Sequence, residues 1–194
     1  MRTACLKTKL LIMKTTFSFL FVCLTFLTTA YGQGKYGTKT GEINFEASVP
    51  SFEEVKAVNT NVSAVFDTAT GNFAALALMK GFRFKMALME EHFNENYVES
   101  SKYPKAAFKG TIKDFDISSL SDKKKYMIVG TLNLHGVDKK LEAPATVGLK
   151  DGMIVLSAKF VLLPEEFNIK IPSIVRNKIA DKVDVSAVFN LKKQ

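Results

Sequence analysis

Between Gly41 and Leu191 apolar side chains recur at every second position, in one row after another. Ile43, Phe45 and Ala47 alternate with Glu42, Asn44 and Glu46. Val58, Thr60, Val62, Ala64 and Phe66 alternate with Asn59, Asn61, Ser63 and Asp67. Further rows are Ala106, Phe108, Gly110, Ile112; Tyr126, Ile128, Gly130, Leu132, Leu134; Leu141, Ala143, Ala145, Val147, Leu149; and Val183, Val185, Ala187, Phe189, Leu191. Successive side chains of a strand point to opposite faces, so a period of two gives one apolar and one wet face. Turn-forming stretches separate the rows: Asp67–Asn72, His135–Asp138 and Lys150–Gly152, each with a Gly able to take positive φ.

Eight strands follow, near residues 36–47, 57–67, 72–84, 105–116, 124–135, 139–150, 153–163 and 182–192. Short hairpins make sequential strands antiparallel neighbours, which gives an up-and-down meander. An all-β chain with eight one-sided strands leaves no open edge if it closes into a barrel. The inward face mixes small residues (Ala47, Ala64, Ala106, Gly110, Gly130, Ala143, Ala145, Ala158, Ala187) with Phe45, Phe66, Phe108, Phe160 and Phe189. Eight-stranded barrels are either filled by side chains or hold one small ligand, and a small-residue lining favours the second. The expectation is an apolar bore running through the molecule. Ala145 is the position where a larger side chain is expected to obstruct uptake.

Two segments break the strand pattern. In the first, Leu88, Met89, His92 and Phe93 share one side of a short helix predicted at about 86–97, and Pro104 stops it and opens the next strand. So short a helix must lie on something apolar. The second is the long connection 164–181, with Phe167, Ile169, Ile171, Ile174, Val175 and Ile179 among charged residues. It is expected to fold over one end of the barrel. The ligand entrance is expected near one of these two segments.

The helix, Tyr103-Pro104 and Phe108-Lys109-Gly110 resemble the YceI-like family of secreted lipid-binding proteins. Gly130-Thr131-Leu132-Asn133-Leu134-His135-Gly136 is similar to that family's Gly-x-Leu-x-x-His-Gly hairpin, and Glu166-Phe167-Asn168-Ile169 stands where typical members have Asp-Phe-Gly-Ile. The second strand, Val58–Asp67, lacks the His and Gly-x-Phe element of typical members. The resemblance implies a lipocalin-like barrel holding a non-covalently bound polyisoprenoid chain, with no other cofactor. The expected lining is Phe45, Ala47, Val62, Ala64, Phe66, Phe108, Ile128, Leu132, Ala143, Ala145, Phe160, Ala187 and Phe189, with Leu88, Met89, Phe93, Phe167 and Ile169 as entrance and cap. A competing reading is a secreted envelope or stress-related barrel with a filled interior that acts through its surface. Transient membrane contact and a homodimer stay open.

The N-terminus is expected to set the compartment. Met1–Gly32 carries Arg2, Lys7, Lys9 and Lys14 with no acid, then an apolar run from Phe17 to Leu27, then Ala30 and Gly32 as small residues before Gln33. These are the parts of a secretory signal peptide, with Met1 or Met13 as start. The apolar run falls short of the roughly twenty residues a membrane span needs. Removal of residues 1–32 would leave a single domain, 33–194, periplasmic or secreted. Both cysteines, Cys5 and Cys23, would go with the leader, which excludes disulfides and thiol chemistry. Half of the formal net charge of +8 would go too, because the leader's four basic residues have no acidic counterpart. The remaining lysines are spread along the strands, with one run at Lys123–Lys125 in an expected loop. That pattern does not make a nucleic-acid interface.

No catalytic or metal constellation stands out. The two histidines, His92 and His135, have no partner His at ligand spacing. Ser100-Ser101, Ser118-Ser119 and Ser173 lack a local base and elbow, and no Gly-rich phosphate loop occurs. The chain reads as a binding protein, with His135 bonding backbone at its hairpin. Intact mass of the exported product is expected to show the chain beginning at Gln33; a mass retaining residues 1–32 would refute the leader.

Overall fold

Alternation on this scale can satisfy its backbone only by pairing strand to strand, and it does so all the way round. A computed structural model of the chain describes residues 34–50, 52–120 and 123–194; the expected leader and its two candidate starts lie outside these. The strands are β1 (Lys35–Ser48), β2 (Lys56–Asp67), β3 (Asn72–Leu78), β4 (Arg83–Phe84), β5 (Lys105–Ile112), β6 (Lys124–Leu134), β7 (Val137–Lys150), β8 (Met153–Leu162) and β9 (Ile179–Lys193). All pair antiparallel; the long strands pair in chain order, β3 directly with β5, β4 pairs only with β2, and β1 pairs with both β2 and β9. Eight long strands therefore close an up-and-down barrel, and the two-residue β4 extends the third wall against the start of β2.

Two tight hairpins fix the register. His135 and Gly136 both have positive φ (53° and 75°), as do Asp151 and Gly152 (51° and 73°). Paired left-handed residues are what a two-residue hairpin needs to match strand twist. Lys124 and Lys125, expected in a loop, already belong to β6.

The strand pattern departs from expectation in four places. First, Gly41 pairs with Val62 but Ile43 with Asn59, so β2 carries an extra residue, a bulge. A bulge inverts the alternation. Ala57 and Asn59, not Val58 and Thr60, face inward beyond it, and Asn59 is 1% exposed. Its Nδ2 donates to the Leu78 carbonyl at 3.0 Å, and its Oδ1 accepts the Asn61 N–H at 3.0 Å, so the buried amide holds the bulge. Second, the predicted strand 72–84 is interrupted by a 3₁₀ turn, Met79–Gly81, which seats Gly81 against Asn59.

Third, the helix is α1 (Ala87–His92) continued by a π-turn, Phe93–Tyr97, in which the Val98 N–H reaches the Phe93 carbonyl at 2.9 Å. Pro104 does not stop it. The helical stretch ends at Tyr97, and Glu99 (φ 43°) has already redirected the chain; Pro104 only leads into β5 and accepts the Met79 N–H. Fourth, Leu149 is 46% exposed although it pairs in register with the buried Ile154, because it lies at the barrel rim two residues from the Asp151-Gly152 hairpin.

The capping connection runs from Leu163 to Lys178 through two 3₁₀ turns, Pro164–Phe167 and Ser173–Val175, before β9 starts at Ile179, earlier than expected. One barrel end is packed solid by Phe66, Phe73, Phe115 and Tyr126, with Phe66 and Phe115 edge-to-face at 4.8 Å, over Ile112, Ile154 and Leu191. The other end carries α1, the π-turn and the connection.

Asn59→Leu keeps the volume but orphans the Leu78 carbonyl and the Asn61 N–H. Chemical denaturation is expected to show a loss of about 1–3 kcal/mol; an unchanged midpoint would mean the bulge does not depend on this amide.

Candidate ligand-binding cavity

The half of the barrel away from the packed end is not filled. A cavity of about 480 Å³ opens there, within the roughly 300–1,000 Å³ typical of small-molecule sites. Its barrel wall includes Ile43, Phe45, Ala47, Ala77, Ala106, Leu132, Leu134, Phe160, Val183 and Val185. Above them Phe82, Phe84, Met89 and Phe93 come from the insertion between β3 and β5, and Phe167, Ile169, Ile171 and Val175 from the connection before β9. Phe93 packs its ring on Phe45 (5.4 Å), Phe82 (5.9 Å) and Phe84 (5.1 Å), so the helix rests on aromatic rings as its length demands. Arg83 donates to Glu90 Oε1 at 2.6 Å and the Phe84 N–H to Oε2 at 3.2 Å, which ties α1 to β4.

A second chamber of about 90 Å³ continues toward the packed end and shares Ile43, Ala77, Ala106, Leu132 and Phe160 with the first. Every residue lining it is apolar. The interior is therefore a blind pocket with an inner annex, not a bore through the molecule. The small residues explain why. Gly110 and Gly130 pair across β5 and β6; a Cβ on either would first meet the facing strand's carbonyl (Val129 or Lys109) and also Phe108 Cζ, at 2.7 and 2.6 Å. Gly41 likewise seats the Phe189 ring. These glycines accommodate rings rather than leaving vacant space.

The sequence-selected residues distribute unevenly. Phe45, Ala47, Leu132 and Phe160 line the large chamber, and Phe108, Ile128, Leu132, Ala143, Phe160, Ala187 and Phe189 line the inner one. Val62, Ala64, Phe66 and Ala145 line neither; they belong to the buried core. Ala145 is thus not where bulk would obstruct the cavity. Of the entrance residues, Met89, Phe93, Phe167 and Ile169 face it, whereas Leu88 is 56% exposed and points away. Leu88 precedes Met89 by about a third of a helical turn, which carries it past the buried edge. Ile43, Ala106, Val183 and Val185 line the large chamber as well, and their alternation marks them as inward. Met79, Phe82 and Phe84 could not be read so, because the 3₁₀ turn erases the period of two.

The polar groups at the cavity are His92, Tyr97 and Lys178 on the covering segments and Glu53 in the loop between β1 and β2, whose start at Ser48 pairs with Ile179 at the end of the connection. Burial pushes the Tyr97 phenol above its ordinary range. His135 lies elsewhere, 8% exposed beneath the connection. Its Nδ1 lies 2.9 Å from the Phe167 carbonyl, which can only accept, so this nitrogen donates there. Its Nε2 lies 2.9 Å from Glu99 Oε2, and the Tyr103 ring packs against it at a tilt, centroids 4.3 Å apart. One imidazole thus joins the β6–β7 hairpin, the turn after the helical insertion and the connection. Phe167, 1% exposed, is held in the cavity wall by its own carbonyl.

A family model described as YceI-like domain matches residues 16–191. Among solved structures, a polyisoprenoid binding domain from Saccharophagus degradans, implicated in plant cell wall breakdown, superposes with a TM-score of 0.70 at 15% identity. That match covers 84% of this chain and 99% of the other. BcnA of Burkholderia cenocepacia gives 0.64 at 17% identity, covering 78% and 94%, and a Campylobacter jejuni YCEI protein gives 0.55 at 20%, covering 73% and 88%. These likenesses establish a common barrel. A search of curated proteins returned no match.

His135→Ala strands the buried Phe167 carbonyl and is expected to lower unfolding free energy by about 1–3 kcal/mol. Limited proteolysis within 168–178 should accelerate in the same variant. Unaltered cleavage and stability together would show that the connection is held by other contacts.

Proposed function

The chain belongs to the YceI-like domain family, and on that footing we propose that it is an exported carrier that holds a long apolar lipid, a polyisoprenoid, inside its barrel. The observation that carries this is the cavity of about 480 Å³, walled by aliphatic and aromatic side chains with polar groups confined to its mouth. A flexible hydrocarbon chain offers nothing to hydrogen-bond along its length, and this wall asks for nothing. Burying it is favourable by about 0.8 kcal/mol per CH₂, or roughly 3–4 kcal/mol for each five-carbon unit before costs. Ordering the chain and immobilising it take back a large part. A few buried units still suffice for micromolar binding or better.

The Saccharophagus relative's description as polyisoprenoid binding supports the ligand class. The leader-like start of the sequence supports export, and a lipid insoluble in water gives an exported carrier its purpose: crossing an aqueous gap. The residues at the cavity bind and exclude water rather than react. His135, the one deeply buried imidazole, is committed to two structural partners. The competing reading, a barrel acting through its surface, draws on the solvent-facing apolar positions Val65, Leu76 and Leu78 on β2 and β3.

Organic extraction of the purified protein followed by mass spectrometry is expected to release one isoprenoid lipid per chain. Repeatedly lipid-free extracts, together with no uptake from added isoprenoid, would favour the surface-acting barrel.

A further inference from the structure

We propose that the cavity measures its ligand: a linear isoprenoid enters tail-first, and its end is read in the inner chamber by Phe108 seated on the Gly110–Gly130 pair. This rests on the carrier reading and adds orientation and length selection to it.

Orientation follows from where polarity lies. Glu53, His92, Tyr97 and Lys178 all stand on the mouth side, and the inner chamber has no polar side chain. A lipid with a polar head and an apolar tail has one favourable way in, because a head driven to the floor would lose its water with no partner there.

Length selection follows from the floor. The annex of about 90 Å³ equals roughly three waters' share of liquid volume, room for about one branched five-carbon end. Below it Phe73, Phe108 and Phe189 meet, with Phe73 centred 6.3 Å from Phe108 and 5.3 Å from Phe189. Phe73 and Phe189 are buried at 4% and 3% and packed into the core, while Phe108 is only half-buried. Phe108 is also the ring whose place depends on two missing side chains in register, Gly110 and Gly130. A side chain at either position would press on that ring's tip as well as on the facing strand's carbonyl. The collar between the chambers is formed by Ile43, Leu132, Phe160 and two small residues, Ala77 and Ala106, which pair across β3 and β5. A small collar above a close-packed aromatic floor admits one more unit and then stops, since packed interiors resist even one added methylene.

The test uses the purified full chain and a series of linear isoprenoid alcohols lengthened one five-carbon unit at a time. Wild-type affinity is expected to rise by about tenfold or more per unit, net of ordering costs, up to a cut-off and then to level off or fall. Phe108→Ala deepens the annex and should move the cut-off about one unit longer. Ala106→Leu fills the collar and should move the cut-off about one unit shorter. Should Phe108→Ala fail to fold, Phe108→Leu is expected to shift the cut-off in the same direction, and Ala106→Leu tests the ruler independently. Folded variants that keep the wild-type cut-off, or a wild type that takes all lengths equally, overturn the ruler and leave the carrier reading intact. A wild type that binds no member of the series sinks both.

Discussion

Closure is the constraint from which the rest follows. Because β1 pairs with β2 on one side and β9 on the other, none of the eight long strands has a free edge, and all their inward side chains share one enclosed space. That space must be packed or occupied. The chain does the first at one end, where rings stack over Ile112, Ile154 and Leu191, and leaves the second for the other. Without closure the same apolar face would be an exposed surface and an aggregation hazard rather than a container.

A half-empty barrel needs a cover, and the cover here is built from two insertions that cannot fold alone. The helical segment is short and rests on the rings of Phe45, Phe82 and Phe84 through Phe93. The connection before β9 is two isolated 3₁₀ turns with few backbone bonds of its own. Both are anchored to the rigid wall by side chains of opposite character: Arg83 and Glu90 at the surface, His135 beneath. A cover held at a few discrete points suits a cavity that must admit and release a long chain.

Small residues in such a barrel have two meanings that composition cannot separate. Ala77 and Ala106 leave room, and the cavity runs past them. Gly41, Gly110 and Gly130 instead give seats to Phe189 and Phe108, and the space they vacate is filled. This is why the interior is a blind pocket rather than a channel.

The sequence by itself determined the strand count, the order, the hairpins and the two covering segments, because period-two alternation and left-handed turn residues are local properties that survive any tertiary context. It also marked most inward positions correctly from Phe45 to Phe189. It could not locate the β2 bulge, since the Asn59 amide meets its partner carbonyl on Leu78, distant in sequence, and only there does its burial become tolerable. Nor could it separate Ala145 in the sealed core from Ala106 at the collar, as both are small, inward and strand-borne. Where along the barrel axis a side chain sits, and which ring from another strand falls against it, are decided only when the strands are in register and the rings compete for the same enclosed volume.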